Sequence, residues 1–377
     1  MPLYKNLSQV SWTILGMVQD PVQQTEPFVI GTYTGEKCPQ RMRDFLRPLV
    51  DEVNSLNGQN VTINAASVRI DGFNTDHRAL CLIKEVQEGS QLACHKCEAI
   101  GWQAHGGMVY PIEKGAQRTD AGFRELRYFG HHKEELVGEG ENQRMVAIQS
   151  ALVGINYIDM VEDFRIGDEE HLLHTGIFVN LLENLMKGNG REILPIEQRK
   201  LEKLNRRLMR TTLPCECSPR HFVPISKDLA QYLLNRLYLG NLMKYVGITF
   251  FKDAMQPELF DMFIRVYWGM SLLSSSYFRA HWPVAEIFFS QFLSLYKEKF
   301  GQISYKFHCL THLVEEVTRF GPLKRNSCRP FDNMLNSLRH VVDRRQSALD
   351  QVSSTLLLRE AAFRKSGNAP NFPLSTK

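Results

Sequence analysis

Cys94-His-Lys-Cys97 is the sharpest chemical feature of the sequence. Two thiols at this spacing grip one cation from a single loop, and zinc needs two further nitrogen or sulfur ligands to complete its tetrahedron. Three segments offer them. His308 and His312 lie four apart in a stretch of helical pattern, so their imidazoles share one face and can chelate together. His131 and His132 are nearer in sequence, but adjacent side chains diverge unless the backbone is extended or turned. Cys215 and Cys217 have a spacing less usual for chelation. The plain alternative is two reduced thiols in a loop and a satisfied helical histidine.

Acidic residues form a second class. Asp71 ends an extended, β-branched segment, where a carboxylate is held rigidly enough to ligate magnesium or manganese beside substrate oxygens. Asp168, in Asp168-Glu-Glu-His171, and Asp332, in Arg-Pro-Phe-Asp332, each open a helical stretch. For both, capping the helix and complementing its dipole is the commoner role. Basic residues gather in two places. One is Arg199, Lys200, Lys203, Arg206, Arg207 and Arg210; the other runs from Arg319 through Lys324, Arg325, Arg329 and Arg339 to Arg344 and Arg345. Either can neutralise duplex phosphates, although a solvated helix face explains the first equally well. No aromatic residues interleave the basic ones, which favours duplex backbone over stacked single strands. No phosphate-cradling glycine loop, nucleophile elbow or dinucleotide fingerprint is present, so no small-molecule cofactor is expected.

The elements that must position these groups fall into two styles. Val10–Val18 and Pro27–Gly35 read as strands, and Phe45, Leu46, Leu49, Val50, Val53 and Leu56 mark a helix between them and a broken extended segment, Val61–Gly72. Residues 89–140 are rich in Gly, His and Cys and read as a metal-held insert. From Met160 onward the pattern is helical: 169–186, 196–210, 229–242, 258–274, 283–300, 305–320 and 331–365. The expected class is α/β (α+β): a mixed core over residues 1–165, an all-helical insertion over 166–304, closing helices over 305–365 that carry the last acid, and a disordered tail over 366–377. Lys plus Arg number 45 against 41 Asp plus Glu, a net charge of +4 that is too mild to imply a nucleic-acid partner, so any basic footprint is local. No apolar run approaches the roughly 18 residues of a membrane span, and no signal peptide is evident. Eight Cys among 377 residues fit a reducing compartment and not a disulfide framework. These features predict a soluble intracellular protein.

Several blocks, taken in order, resemble the CACTA-type DDE DNA transposases and their domesticated relatives. MPLYKNLSQVSWTILGMV resembles the stretch after that family's first strand. CHKCEAIG resembles its G-C-x-x-C-x-x-x-G, and RTDAGFRELRYFGHHKE the block that follows. IGDEEHLLHTGIF resembles L-D-x-x-H-L. FHCLTHLVEEVTRFGPLKRNSCRPFDNMLNSLRHVV resembles H-x-x-x-H-L…R-F-G-P-L…P-F-E-N. The likeness runs over roughly residues 1–345, and the final block is the most specific.

The resemblance implies an RNase H-like catalytic core with a helical insertion, a nuclear location, duplex DNA as partner, a possible homodimer, and Mg-dependent cleavage and strand transfer by three carboxylates. By position the second acid falls at Asp71, with Asn74 and Asp76 as rivals, and the last at Asp332. Asp168 and His171 match the intervening D-x-x-H, and Arg325, Arg339, Arg344 and Arg345 are the expected DNA contacts. V(D)J recombinase, a related enzyme, has a similar layout in which a C-x-x-C after the second acid pairs with histidines before the last. That likeness favours zinc at Cys94, Cys97, His308 and His312. The family's first Asp lies just before the block at which this chain begins, so the sequence is expected to lack the first strand and its acid and to be catalytically impaired.

Overall fold

The computed structural model describes residues 10–18, 25–58, 62–63, 66–67, 69–104, 107–138, 143–190, 192–217, 219–226, 236–341 and 348–365. The chain divides into two compact units, Met1–Ser55 with Arg329–Lys377, and Leu56–Cys328.

In the first unit, β1 (Val10–Gly16) and β2 (Phe28–Gly35) pair antiparallel from Val10↔Gly35 to Gly16↔Phe28, with a register shift between Ile14 and Leu15. Helix α1 (Met42–Gly58) buries Met42, Leu46, Leu49 and Val50, and Phe45 meets Tyr33 of β2 edge to face. Leu46, Leu49 and Val50 belong to the apolar stripe its sequence spacing predicts, whereas Leu56 at the far end is exposed. The pattern expected to run unbroken over 331–365 forms two helices, Arg329–Val341 and Ala348–Lys365. Leu338 and Val352 bury against each other with Val29, Met334 and Leu356.

The second unit begins with short strands and loops and becomes helical. Among the described residues every strand pairs only with its hairpin neighbour, and all pairs are antiparallel: Thr62–Ile63 with Ala66–Ser67, Trp102–Ala104 with Gly107–Val109, and Glu134–Val137 with Arg144–Ala147. The protein is thus α+β with small sheets. Within the broken extended segment expected to run into Asp71, Thr62–Ile63 and Ala66–Ser67 are strands, and Asp71 lies outside any strand. Phe73 instead bridges to Phe164 in parallel: Phe73 N–H donates to the Asp163 carbonyl at 2.7 Å, Arg165 N–H to the Phe73 carbonyl at 3.0 Å, and the two rings stack.

The helical part opens on a π-helical stretch, Glu169–Phe178, that continues as an α-helix over Val179–Lys187. Helices Gln198–Arg210, Pro257–Leu273 and Trp282–Phe300 follow close to their predicted bounds. Of the helix expected over 229–242, the described part is Arg236–Asn241. One continuous apolar core joins these helices from Leu172 to Leu323. Phe178, Phe251 and Phe263 form its aromatic centre, with ring centroids 5.5–5.8 Å apart. Gly269 is required where two helices cross, because a Cβ there would sit 2.6 Å from the Phe289 ring. The predicted helix over 305–320 is a chain of three helical segments: Tyr305–Cys309, a 3₁₀ turn Leu310–His312, and Leu313–Phe320.

Candidate metal centre

Two distant segments of the second unit supply the centre. The Cys94–Cys97 loop is pinned from both sides. Glu98 N–H donates to the Ala116 carbonyl at 2.8 Å, and Cys97 bridges to Gln117. Gly115 is needed for this approach, since a Cβ there would lie 2.4 Å from the backbone of Glu98 and Ala99. Arg118, 2% exposed, donates from Nε to the Cys94 carbonyl at 2.9 Å and from Nη2 to the Leu92 carbonyl at 3.2 Å. The second segment, Tyr305–His312, is held by Phe307, Leu310 and Leu313 in the apolar core.

Cys94, Cys97, His308 and His312 converge with all four ligand atoms within 4.8 Å of one another, and all four side chains are buried. The two sulfurs are 3.6 Å apart; Cys94 Sγ is 3.5 Å from His312 Nε2 and Cys97 Sγ is 3.4 Å from His308 Nε2. A tetrahedral zinc with bonds of about 2.3 Å to sulfur and about 2.0–2.1 Å to nitrogen needs edges of about 3.8 Å and about 3.5–3.6 Å. These three separations lie within about 0.2 Å of those edges. Zinc placed among them would supply a cross-link between the loop and the helix, with no redox chemistry.

The surrounding groups fit that role. His308 Nδ1–H donates to the Pro111 carbonyl at 2.9 Å, which leaves the Nε2 lone pair facing sulfur. His312 Nδ1 faces Glu315 Oε2 at 3.7 Å, and Lys114 Nζ donates to Glu315 at 2.6 Å. A ligand histidine whose other nitrogen meets a carbonyl or carboxylate is the usual arrangement around zinc. The His312 ring facing it, helped by Lys114, holds the Glu315 carboxyl down at about 2. Burial pushes the Cys94 thiol up, whereas the hydrogen bond with Cys94, reinforced by His308 and His312, pulls Cys97 below its ordinary value despite burial.

The rival ligands are corrected. His131 turns away to the Leu92 carbonyl, 2.6 Å from its Nδ1, and His132 packs against the Phe123 ring; neither joins the cluster. Cys215 is exposed and Cys217 half-buried, in a turn elsewhere.

The acids are engaged individually. Asp71, largely exposed, pairs with buried Arg165 at 3.3 Å. Asp76 caps helix His77–Ile83 by accepting from Ala79 N–H at 2.8 Å, and Asn74 Nδ2 donates to the Asn326 carbonyl. Asp168 is a buried cap: its oxygens accept from His171 N–H (2.8 Å), His171 Nδ1–H (2.7 Å) and Cys328 N–H (2.7 Å). The capping role weighed from sequence accounts for the His171 N–H contact; the His171 ring and Cys328 N–H are additional partners. Asp332 lies in the first turn of Arg329–Val341, in the other unit. Among the described residues Asp168, His171 and Cys328 form a metal-capable group, whereas neither Asp71 nor Asp332 belongs to one.

Among the basic residues, Arg199, Lys200, Lys203, Arg206 and Arg210 form the exposed face of a helix that buries Leu201, Leu204 and Leu208. Arg325 is exposed, whereas Arg319 is tied to Asp163. The side chain of Arg339 and residues Arg344 and Arg345 lie outside the described parts.

Three contributors were not read from the sequence: Arg118, Glu315 and Glu316. The Glu316 carboxylate accepts from Ile166 N–H at 2.9 Å and Gly167 N–H at 3.0 Å, tying the start of the helical part to the ligand helix. Glu315 had a signal, since it sits three positions after His312 on a helical pattern. No protein-family model, curated protein or solved structure matches the chain.

Proposed function

We propose that this chain is a zinc-stapled, transposase-derived DNA-binding protein, in which the Cys94/Cys97/His308/His312 centre is structural. The observation that carries the reading is the convergence of the four ligands, which belong to sequence blocks that resemble the CACTA-type family in the same order. A closed set of four buried protein ligands leaves no position for substrate, which is the mark of a structural site.

The RNase H-like core and the nuclear location rest on the resemblance. Impaired cleavage is supported by the engagement of the acids: Asp71 is paired with Arg165, and the Asp168 carboxylate is filled by three N–H donors. Duplex binding is supported by the exposed basic face over Gln198–Arg210 and by Arg325. It is tested with the full chain on labelled duplex DNA over a salt series, with magnesium or manganese present. The reading expects affinity that falls steeply with salt, weakens on charge reversal at Arg199, Lys203 and Arg206, and is accompanied by no strand cleavage. Salt-insensitive or absent binding would remove the DNA part of the proposal. Cleavage abolished by Asp71→Ala would restore catalysis.

A further inference from the structure

We infer that His77, Cys81 and His95 form a second zinc site, separate from the four-ligand centre, in which two imidazoles and one thiolate hold a divalent cation. The three ligand atoms lie within 4.8 Å of one another. Cys81 Sγ is 3.7 Å from His77 Nε2 and 3.6 Å from His95 Nε2. These separations match the edge of about 3.5–3.6 Å that tetrahedral zinc requires between sulfur and nitrogen.

Local structure explains why the three meet. His77 and Cys81 are four apart on the helix His77–Ile83, so they project from one face, and the Asp76 cap fixes where that helix begins. His95 lies inside the C-x-x-C loop and takes the opposite direction from its neighbour: Cys94 faces His312, while His95 faces Cys81. The Cys94–Cys97 loop therefore hands ligands to two clusters at once. His95 is fully buried, and among the described residues its ring has one hydrogen-bonding partner, the Cys81 thiol; its Nδ1 has none. A thiol is a weak partner, and an imidazole buried for packing alone would be left poorly satisfied. Coordination through Nε2 gives the ring a strong interaction that nothing else around it supplies. A nitrogen-rich set with one thiolate suits zinc, and three protein ligands leave one tetrahedral position for water or a further ligand. His77 is only half-buried, so the site borders solvent on that side.

The test uses the full chain freed of metal by chelation and titrated with zinc, and with cobalt as a spectroscopic probe. Two equivalents per chain are expected. His77→Gln and Cys81→Ser should each abolish one equivalent and leave the other, with an unchanged circular dichroism spectrum. Cobalt in the wild type should show thiolate charge transfer from both sites, reduced but not lost in Cys81→Ser. A single equivalent in the wild type, or two equivalents untouched by both substitutions, would overturn the inference. Because these side chains are packed, zinc-edge anomalous diffraction from the wild-type protein provides an arm free of substitutions. A peak bounded by Cys81 Sγ, His77 Nε2 and His95 Nε2 supports the site, and its absence in zinc-saturated crystals refutes it. A separate peak, or none, at Cys94 and Cys97 judges the structural centre independently.

Discussion

Cys97 and His308, 211 positions apart in the chain, meet at 3.4 Å through Sγ and Nε2, with the other imidazole nitrogen bound to the Pro111 carbonyl. That relationship ties a loop among short strands to a helix of the apolar core. Its consequences extend to the groups that aim each ligand.

Glu315→Gln removes the carboxylate that faces His312 and receives Lys114. Zinc affinity, measured by competition with a chromophoric chelator, should fall about 10–100-fold while the four ligands remain. Because the Glu315 carboxyl is held down at about 2, its contribution to stability is present above the ordinary glutamate range and is lost as pH falls toward 2. The substituted protein should show a shallower acid transition in that window.

Arg118→Lys keeps the charge but loses the fork that spans the Cys94 and Leu92 carbonyls. A lysine ammonium serves one of them well, so urea unfolding should show a loss of about 1–3 kcal/mol. Zinc should also dissociate faster.

Asp168→Ala leaves His171 N–H and Cys328 N–H without their acceptor and should cost about 2–4 kcal/mol in chemical denaturation. Burial raises the Asp168 carboxyl, but the hydrogen bonds and charge of His171 together with the Cys328 N–H outweigh it and hold the carboxyl below the usual range. Its stabilisation is therefore present above the ordinary aspartate value and lost on acidification through the lowered one. Substitution should flatten that acid limb.

Lys84→Met should stabilise the protein. The Lys84 ammonium is fully buried with no hydrogen-bonding partner among the described residues, and burial pushes it down from 10.5 to about 7. Between those values the unfolded chain binds the extra proton, so wild-type stability climbs as pH rises from about 7 to about 10.5. Packing over the Phe123 and Phe164 rings, at 4.9 and 5.0 Å, returns part of the cost. A gain of about 1–3 kcal/mol at pH 7 and a flatter alkaline profile are expected from thermal unfolding.

Much of this arrangement was legible in sequence, for identifiable reasons. The C-x-x-C and the H-x-x-x-H each place two ligands by local geometry, and the leucines of Gln198–Arg210 show their buried stripe directly. Which histidine pair completes the centre is a long-range fact, set by packing around Phe307 and Leu310, and local spacing alone left His131 and His132 in contention. Asp71 lies outside any strand, because β-branched composition marks extended backbone without showing whether a partner strand pairs with it. His77 and Cys81 also share a chelating i,i+4 spacing, but their third ligand, His95, was hidden between two stronger candidates. Arg118 acts through backbone carbonyls, which leave no mark in sequence.

The most direct measurement is the zinc content of purified, folded Cys97→Ser protein against wild type, by elemental mass spectrometry after dialysis. The account predicts one fewer zinc per chain, with a Tm lowered by more than about 5 °C. Zinc content and Tm equal to those of the wild type would contradict it.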